Sequence, residues 1–196
     1  MGLGHLSAVE HLTRVTDIAL DDPRLGDAVV RRAMTGDREA FTSLVARYDG
    51  AMAKVAYVVS GDPDVARDAV QAAWAIAWRR LGGLRDPTQV RAWLLTIAAN
   101  EARQTVRRRR RHIVTDLSIA EAVTDGRGDP GDTIQLIDLE RALRRLKPDD
   151  RAIIALRYVA GLDSTEIAAH LGGSPSGTRS RLSRIIERLR TDLDHA

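Results

Sequence analysis

The stretch DSTEIAAHLGGSPSGTRSRLSRIIERLR, residues 163 to 190, decides how the C-terminal part of the chain folds. Asp163-Ser164 with Glu166 close behind reads as a helix start, Ile167, Ala168 and Leu171 form its apolar side, and Gly172-Gly173 stops it. Ser174 is the natural N-cap of a second helix with Pro175 in its first turn, and Leu182, Ile185, Ile186 and Leu189 recur along one side. Two helices joined by a glycine turn form a helix-turn-helix. Opposite the apolar residues stand Ser176, Gly177, Ser180, Ser183 and Arg184, flanked by Arg179, Arg181 and Arg188. This face is small, polar and cationic, as a helix lying in a DNA groove requires. An ordinary surface helix also carries solvated arginines. Here the turn, the cap and the cationic face coincide, and they point to DNA binding.

Upstream of this unit, Ile153, Ile154, Leu156 and Val159 form one apolar set, and Ile134, Ile137, Leu139, Ala142, Leu143 and Leu146 form another. Lys147-Pro148-Asp149 is expected to end the earlier of these helices and cap the next. Residues 113 to 133 shift to Asp, Gly, Thr and Pro with an acidic excess, which reads as a linker.

A second basic segment precedes that linker. Between Arg91 and Arg111, Leu94, Leu95, Ala98, Ala99, Ala102 and Val106 cover one side of a helix. The other arc holds Trp93, Thr96, Asn100, Arg103, Gln104 and Arg107, and five consecutive arginines, 107 to 111, close the segment. An aromatic, amides and cations on one arc can stack on unpaired bases, read base edges and grip phosphates. Further upstream, Phe41, Leu44, Val45, Tyr48, Met52, Val55 and Val59 make a core stripe on a long helix that Asp37 can cap. From Asp64 to Leu81, Ala66, Val70, Ala73, Trp74, Ala77 and Leu81 are the buried side. Arg67, Asp68, Gln71, Ala72, Ala75 and Arg79 lie opposite, on a face small enough in its middle to dock another helix. Residues 1 to 22 have weak periodicity and read as a flexible extension.

Composition narrows the class. The 196 residues suit two small domains, 23–112 and 134–196, each expected to have its own core. Strand signals are nearly lacking, so an all-α fold is expected. The chain has no cysteine and five scattered histidines, which leaves no thiolate zinc site and no evident metal cluster, and no cofactor is expected. No phosphate-binding glycine motif or nucleophile-base pairing points to an enzyme. No apolar run reaches membrane-spanning length and the N-terminus lacks a signal pattern, so a cytoplasmic protein without membrane insertion is expected. The net charge is only +3, but seven arginines face one glutamate between Arg91 and His112, against six acids and one arginine between Thr115 and Asp138.

Both halves resemble the extracytoplasmic-function (ECF) sigma factors of bacterial RNA polymerase. GDREAFTSLVARY at 36 to 48, DPDVARDAVQAAWAIAWRRL at 62 to 81 and VRAWLLTIAANEARQTVRRRRR at 90 to 111 resemble their domain two. ALRRLKPDDRAIIALRYVAGLDSTEIAAHLG at 142 to 172 and RSRLSR at 179 to 184 resemble their domain four. The resemblance implies that Asn100 and Gln104 read the downstream (−10) element, with Trp93 and Thr96 near the melted strand and Arg103 and Arg107 on phosphates. It implies that Ser176, Arg179, Ser180, Arg181, Ser183 and Arg184 face the upstream (−35) element. It implies polymerase contacts at Arg67, Asp68, Gln71 and Arg79. The partners it implies are the RNA polymerase core, through its clamp helices and flap, promoter DNA, and an anti-sigma protein of the kind that commonly covers these surfaces. The alternative reading is a stand-alone helix-turn-helix regulator of duplex DNA. Two positions depart from the family. Gly177-Thr178 stands where Thr-Val is usual, removing a hydroxyl that Ser176 is placed to supply, and Ala72 stands where an acid usually follows the glutamine.

Overall fold

The computed structural model describes residues 23–113 and 130–194; the extension expected over 1–22 and the linker from 114 to 129 lie outside them. All regular elements among the described residues are helical: α1 (Pro23–Met34), α2 (Arg38–Ser60), α3 (Pro63–Arg80), α4 (Val90–Ile113), α5 (Pro130–Arg145), α6 (Pro148–Ile154), α7 (Ser164–Leu171) and α8 (Pro175–Asp194). Short 3-10 turns at Leu81–Gly83 and Pro87–Gln89 join α3 to α4. A π turn over Ala155–Val159 continues α6, and the Ala160 N–H donates to the Ala155 carbonyl at 2.9 Å.

Side-chain caps set the helix starts. The Asp37 carboxylate accepts from the Glu39 and Ala40 N–H groups at 3.0 and 3.1 Å, and Gly61 ends α2 in the left-handed region at φ 69°. Asp62 caps α3 in the same way at 2.8 and 2.9 Å, with Pro63 in the first position. These two caps place α2 and α3 side by side with almost no chain between them. α4 then packs on both. The contact surfaces are dense in alanine: Ala69, Ala73 and Ala77 of α3 and Ala98, Ala99 and Ala102 of α4 are fully buried, beside Met52, Val55 and Val59 of α2. Small side chains let the helix axes approach closely.

Two expectations need correction. α5 begins at Pro130, so residues 130–133 are helical and not linker; proline suits a first turn because its missing N–H would have no intrahelical partner there. The cap of α6 falls within the expected Lys147-Pro148-Asp149, at Lys147, which makes no side-chain cap bond. Phe41 is only half-buried. It packs edge-on against Trp74 and Trp78, at centroid distances of 5.6 and 4.8 Å, and Trp78 is left 41% exposed.

The largest difference concerns the cores. The two halves do not bury separate ones: a single apolar cluster runs from Val30 through Met52, Leu94 and Leu95 into Leu146, Ile154, Leu156 and Ile185. α2 and α4 both touch α6 and the π turn. The adjacent pairs Leu94-Leu95 and Ala98-Ala99 widen the apolar arc of α4 beyond one seam, so it is buried on two sides. Polar groups close the same junction. Tyr57 donates its hydroxyl to Glu140 at 2.8 Å, Arg91 donates to the Ala160 carbonyl at 2.6 Å, and Arg151, 3% exposed, donates to the Ser60 carbonyl at 3.1 Å, by the C-terminal end of α2. Burial and the Glu140 carboxylate both push the Tyr57 phenol above its ordinary value.

Because the core is continuous, chemical denaturation followed by circular dichroism is expected to show one cooperative transition, where separately cored halves would show two. Leu94→Ala should lower the unfolding free energy by about 2–5 kcal/mol through the cavity it leaves.

Candidate nucleic-acid interface

α4 carries the first cationic surface. Its buried side holds Leu94, Leu95, Ala98, Ala99, Ala102 and Val106 as expected, and this orients the opposite arc. Gln104 and Arg107 are exposed, and Trp93, Asn100 and Arg103 are half-buried. Thr96 departs from the expectation. It is 4% exposed and its hydroxyl donates back to the Ala92 carbonyl at 2.8 Å, so in this arrangement it faces packing and not solvent. The Asn100 side-chain oxygen is buried without a hydrogen-bond partner, an uncompensated acceptor on the arc. Gln104 sits between neighbours, its amide 3.4 Å from Glu101 while Arg108 donates to its oxygen at 3.2 Å.

The arginines of this arc are already engaged. Asp149 of α6 pairs with Arg107, and its other carboxylate oxygen lies 3.4 Å from Arg103, close enough for an ion pair though not for a hydrogen bond. Arg109 reaches Asp62 at 3.3 Å and Asp68 at 3.8 Å on α3. Asp149 is a neighbour of this arc that the sequence conceals, because an acid in the first turn of a helix is ordinarily a cap or a dipole partner. Nothing in the local pattern links it to arginines 42 and 46 residues away.

The second surface is the helix-turn-helix. Asp163 and Glu166 form a reciprocal capping box at α7, with the Asp163 carboxylate accepting from Thr165 and Glu166 at 2.7 and 2.8 Å and Glu166 accepting from the Asp163 N–H at 2.7 Å. The N–H of Glu166 and then that of Thr165 hold the Asp163 carboxyl below its ordinary 3.8. Leu182, Ile185 and Leu189 bury one side of α8, leaving Ser176, Arg179, Ser180, Ser183 and Arg184 exposed, as expected. Arg181 is turned partly inward and donates to Asp150 at 2.7 Å. Ser174 caps α8 by accepting the Gly177 N–H at 3.1 Å, and a Cβ at 177 would stand 3.0 Å from that same hydroxyl oxygen. The glycine therefore gives the cap room, and the Ser176 hydroxyl lies beside it at 3.3 Å.

The third surface is the outer face of α2 and α3. Arg67, Asp68, Gln71 and Arg79 are exposed, as expected; Arg67 is paired with Asp64 at 2.9 Å. A shallow apolar groove runs beside them, lined by Val45, Ala53, Tyr57, Val70 and Trp74. The Trp74 indole N–H donates to Asp49 at 2.8 Å on its rim. Exposed Trp78 packs on Phe41 next to Trp74, one turn further along α3.

Among the described residues, a helical bundle with a polar, cationic arc on α4 joined to a helix-turn-helix defines an all-helical protein with two basic surfaces. Residues 44–112 match Sigma-70 region 2 and residues 136–189 match Sigma-70, region 4. The RNA polymerase sigma factor NccH of Alcaligenes xylosoxydans xylosoxydans is 31% identical over 172 residues, covering 84% of this chain and 92% of that protein. The ECF RNA polymerase sigma-E factor of Escherichia coli K12 is 34% identical over 174 residues, covering 81% and 89%. Two solved structures are similar across both halves. One is CnrH in complex with the cytosolic domain of CnrY, with TM-score 0.62, 27% identity, and 87% and 97% coverage of this and that chain. The other is the sigma factor RpoE in complex with the anti-sigma factor NepR from Bartonella quintana, with TM-score 0.67, 29% identity, and 79% and 96% coverage. The chain belongs to the extracytoplasmic-function sigma factors of bacterial RNA polymerase.

The depressed Asp163 carboxyl sets a pH dependence. A folded value below 3.8 stabilises the helix-turn-helix above that pH, and the contribution is lost as pH falls through the folded value. Asp163→Asn should remove this part of the acid transition, read as a smaller loss of helical circular dichroism between neutral and acid pH than in the unsubstituted protein.

Proposed function

We propose that this sigma factor binds RNA polymerase core and directs it to promoters by reading two separated elements, the downstream one through α4 and the upstream one through α8. The observation that carries this reading is the α4 arc: a buried, unpartnered Asn100 amide oxygen, the exposed Gln104 and the arginines Arg103 and Arg107 on one side of one helix. A stand-alone regulator of duplex DNA has no use for such an arc, so the sigma-factor reading is preferred over it.

Opening DNA requires no bond chemistry. A base leaves the stack, and its stacking and hydrogen bonds on the protein offset the few kcal/mol of unstacking. Asn100 and Gln104 supply base-edge donors and acceptors, Trp93 an aromatic edge, and the arginines the phosphate grip. On α8, Ser176, Arg179, Ser180, Ser183 and Arg184 face the groove of the upstream duplex, and Arg181 joins them when it leaves Asp150. Arg67, Asp68, Gln71 and Arg79, with the groove beside Trp74, form the polymerase-facing side. The protein acts in this reading as a cytoplasmic, non-catalytic specificity subunit. Among the described residues no helix is long and apolar enough to cross a membrane. An anti-sigma protein is a further partner, supported by the two similar structures, in which CnrH is bound to the cytosolic domain of CnrY and RpoE to the anti-sigma factor NepR.

Asn100→Ala and Gln104→Ala are each expected to weaken open-complex formation on a cognate promoter by about 5- to 150-fold, the equivalent of about 1–3 kcal/mol for a lost base contact. Core binding and upstream duplex binding should stay within twofold of the unsubstituted protein, about the scatter of such titrations. Permanganate footprinting and filter binding with purified core separate these outcomes. Unchanged opening by both variants would remove the assignment of α4.

A further inference from the structure

A pocket of about 300 Å³ lies between the α5–α6 turn and one flank of α8. Leu146 and Ile185, both buried, form its floor, and Lys147, Arg181, Arg184 and Arg188 form its walls. Lys147 stands between buried Leu146 and buried Pro148, so its neighbours anchor the turn while its own exposed side chain caps nothing. The three arginines recur at steps of three and four along α8, beside the buried Leu182, Ile185 and Leu189, so they share one flank of the helix. Asp150 is the carboxylate of the lining, and Arg181 already holds it at 2.7 Å. Arg184 donates its Nε to the Ser180 carbonyl at 3.3 Å, which leaves the terminal nitrogens of its guanidinium uncommitted. Lys147, Arg184 and Arg188 have no carboxylate partner among the described residues.

We propose that this pocket binds a phosphate-bearing anion through Lys147, Arg184 and Arg188, with Arg181 joining when it leaves Asp150. Like charges at helical neighbours repel, and a concave wall of them raises a local positive potential that an anion relieves. One carboxylate leaves most of three uncompensated charges in place. A ligand with several phosphate oxygens matches both the charge and the guanidinium forks, and the lysine adds a point charge opposite them. Lys147 and Arg188 belong to none of the surfaces assigned above, so the proposal goes beyond the reading of α8 as a duplex-facing helix; Arg181 and Arg184 are shared with it. Two sources carry this chemistry, the backbone of a duplex lying along α8 and a free, compact oligophosphate. A free anion in the pocket competes with the duplex for Arg184.

The test titrates the full chain with inorganic tripolyphosphate in a calorimeter at about 0.05 M salt, where screening leaves exposed charges effective. One saturable site is expected. Lys147→Gln with Arg188→Gln should weaken it by at least about tenfold, since two charge-assisted contacts are lost. A control with the same charge change, Arg38→Gln with Arg80→Gln at exposed ends of α2 and α3, should stay within about twofold of the unsubstituted chain. Absence of saturable binding, or an equal loss in the control, would overturn the proposal. A second measurement needs no substitution: tripolyphosphate should raise the Tm of the unsubstituted chain above that in sodium chloride of equal ionic strength, and equal Tm values sink the site. A mixed-sequence duplex then identifies the source. If the DNA backbone supplies the phosphates, the log-log salt slope of the Lys147/Arg188 variant is shallower than the control's by about 2, at about 0.9 for each lost contact. Equal slopes assign the pocket to a free oligophosphate. If no protein binds the duplex, the DNA reading of α8 fails while the tripolyphosphate result stands, so the two readings fail separately.

Discussion

The burial of α4 on two sides is the constraint on which the rest of this structure depends. Leu94, Leu95, Ala98, Ala99 and Ala102 are all excluded from water, some against α2 and α3 and some toward the C-terminal half. A helix buried along so wide an arc cannot rotate about its axis without exposing leucine or burying an arginine. The remaining arc is therefore pinned, and Asn100, Arg103, Gln104 and Arg107 are presented in fixed relation to the bundle. Precision of this kind is what base reading needs, because side chains that must meet base edges gain little if their helix can swivel.

The same burial sets the electrostatics. α6 is drawn into the shared core by Ile153, Ile154 and the π turn behind it, and its first turn brings Asp149 and Asp150 up against arginines of two other helices. Arginine at such places has two chemically similar partners, carboxylate and phosphate, both planar or tripodal arrays of acceptor oxygens. Neither pairing is strong at partly exposed sites.

Much of the fold could be read from the residues. The caps at Asp37, Asp163 and Ser174, the glycine stops and the apolar stripes each rest on interactions within a few residues, so the sequence displays them directly. The exposed arc of α8 and most of that of α4 follow from the same periodicity. Thr96 was misplaced because a period alone cannot tell how wide the buried arc is. The partners of Asp149, Arg103 and Arg107, are distant in the chain, so the sequence does not display them. The relief that Gly177 gives to the Ser174 cap is a clearance of ångströms, which the residue types do not express.

The sequence by itself determined an all-helical chain, the two cationic helices and their polar faces, since helix signals and side-chain chemistry are local. The tertiary structure alone decided that the two halves share one core, that Thr96 is buried, and that Asp149 and Asp150 meet arginines of both cationic helices. Those outcomes depend on which apolar faces meet across more than forty residues of chain, and that choice is made by packing, where shape and burial of whole surfaces outweigh any local preference.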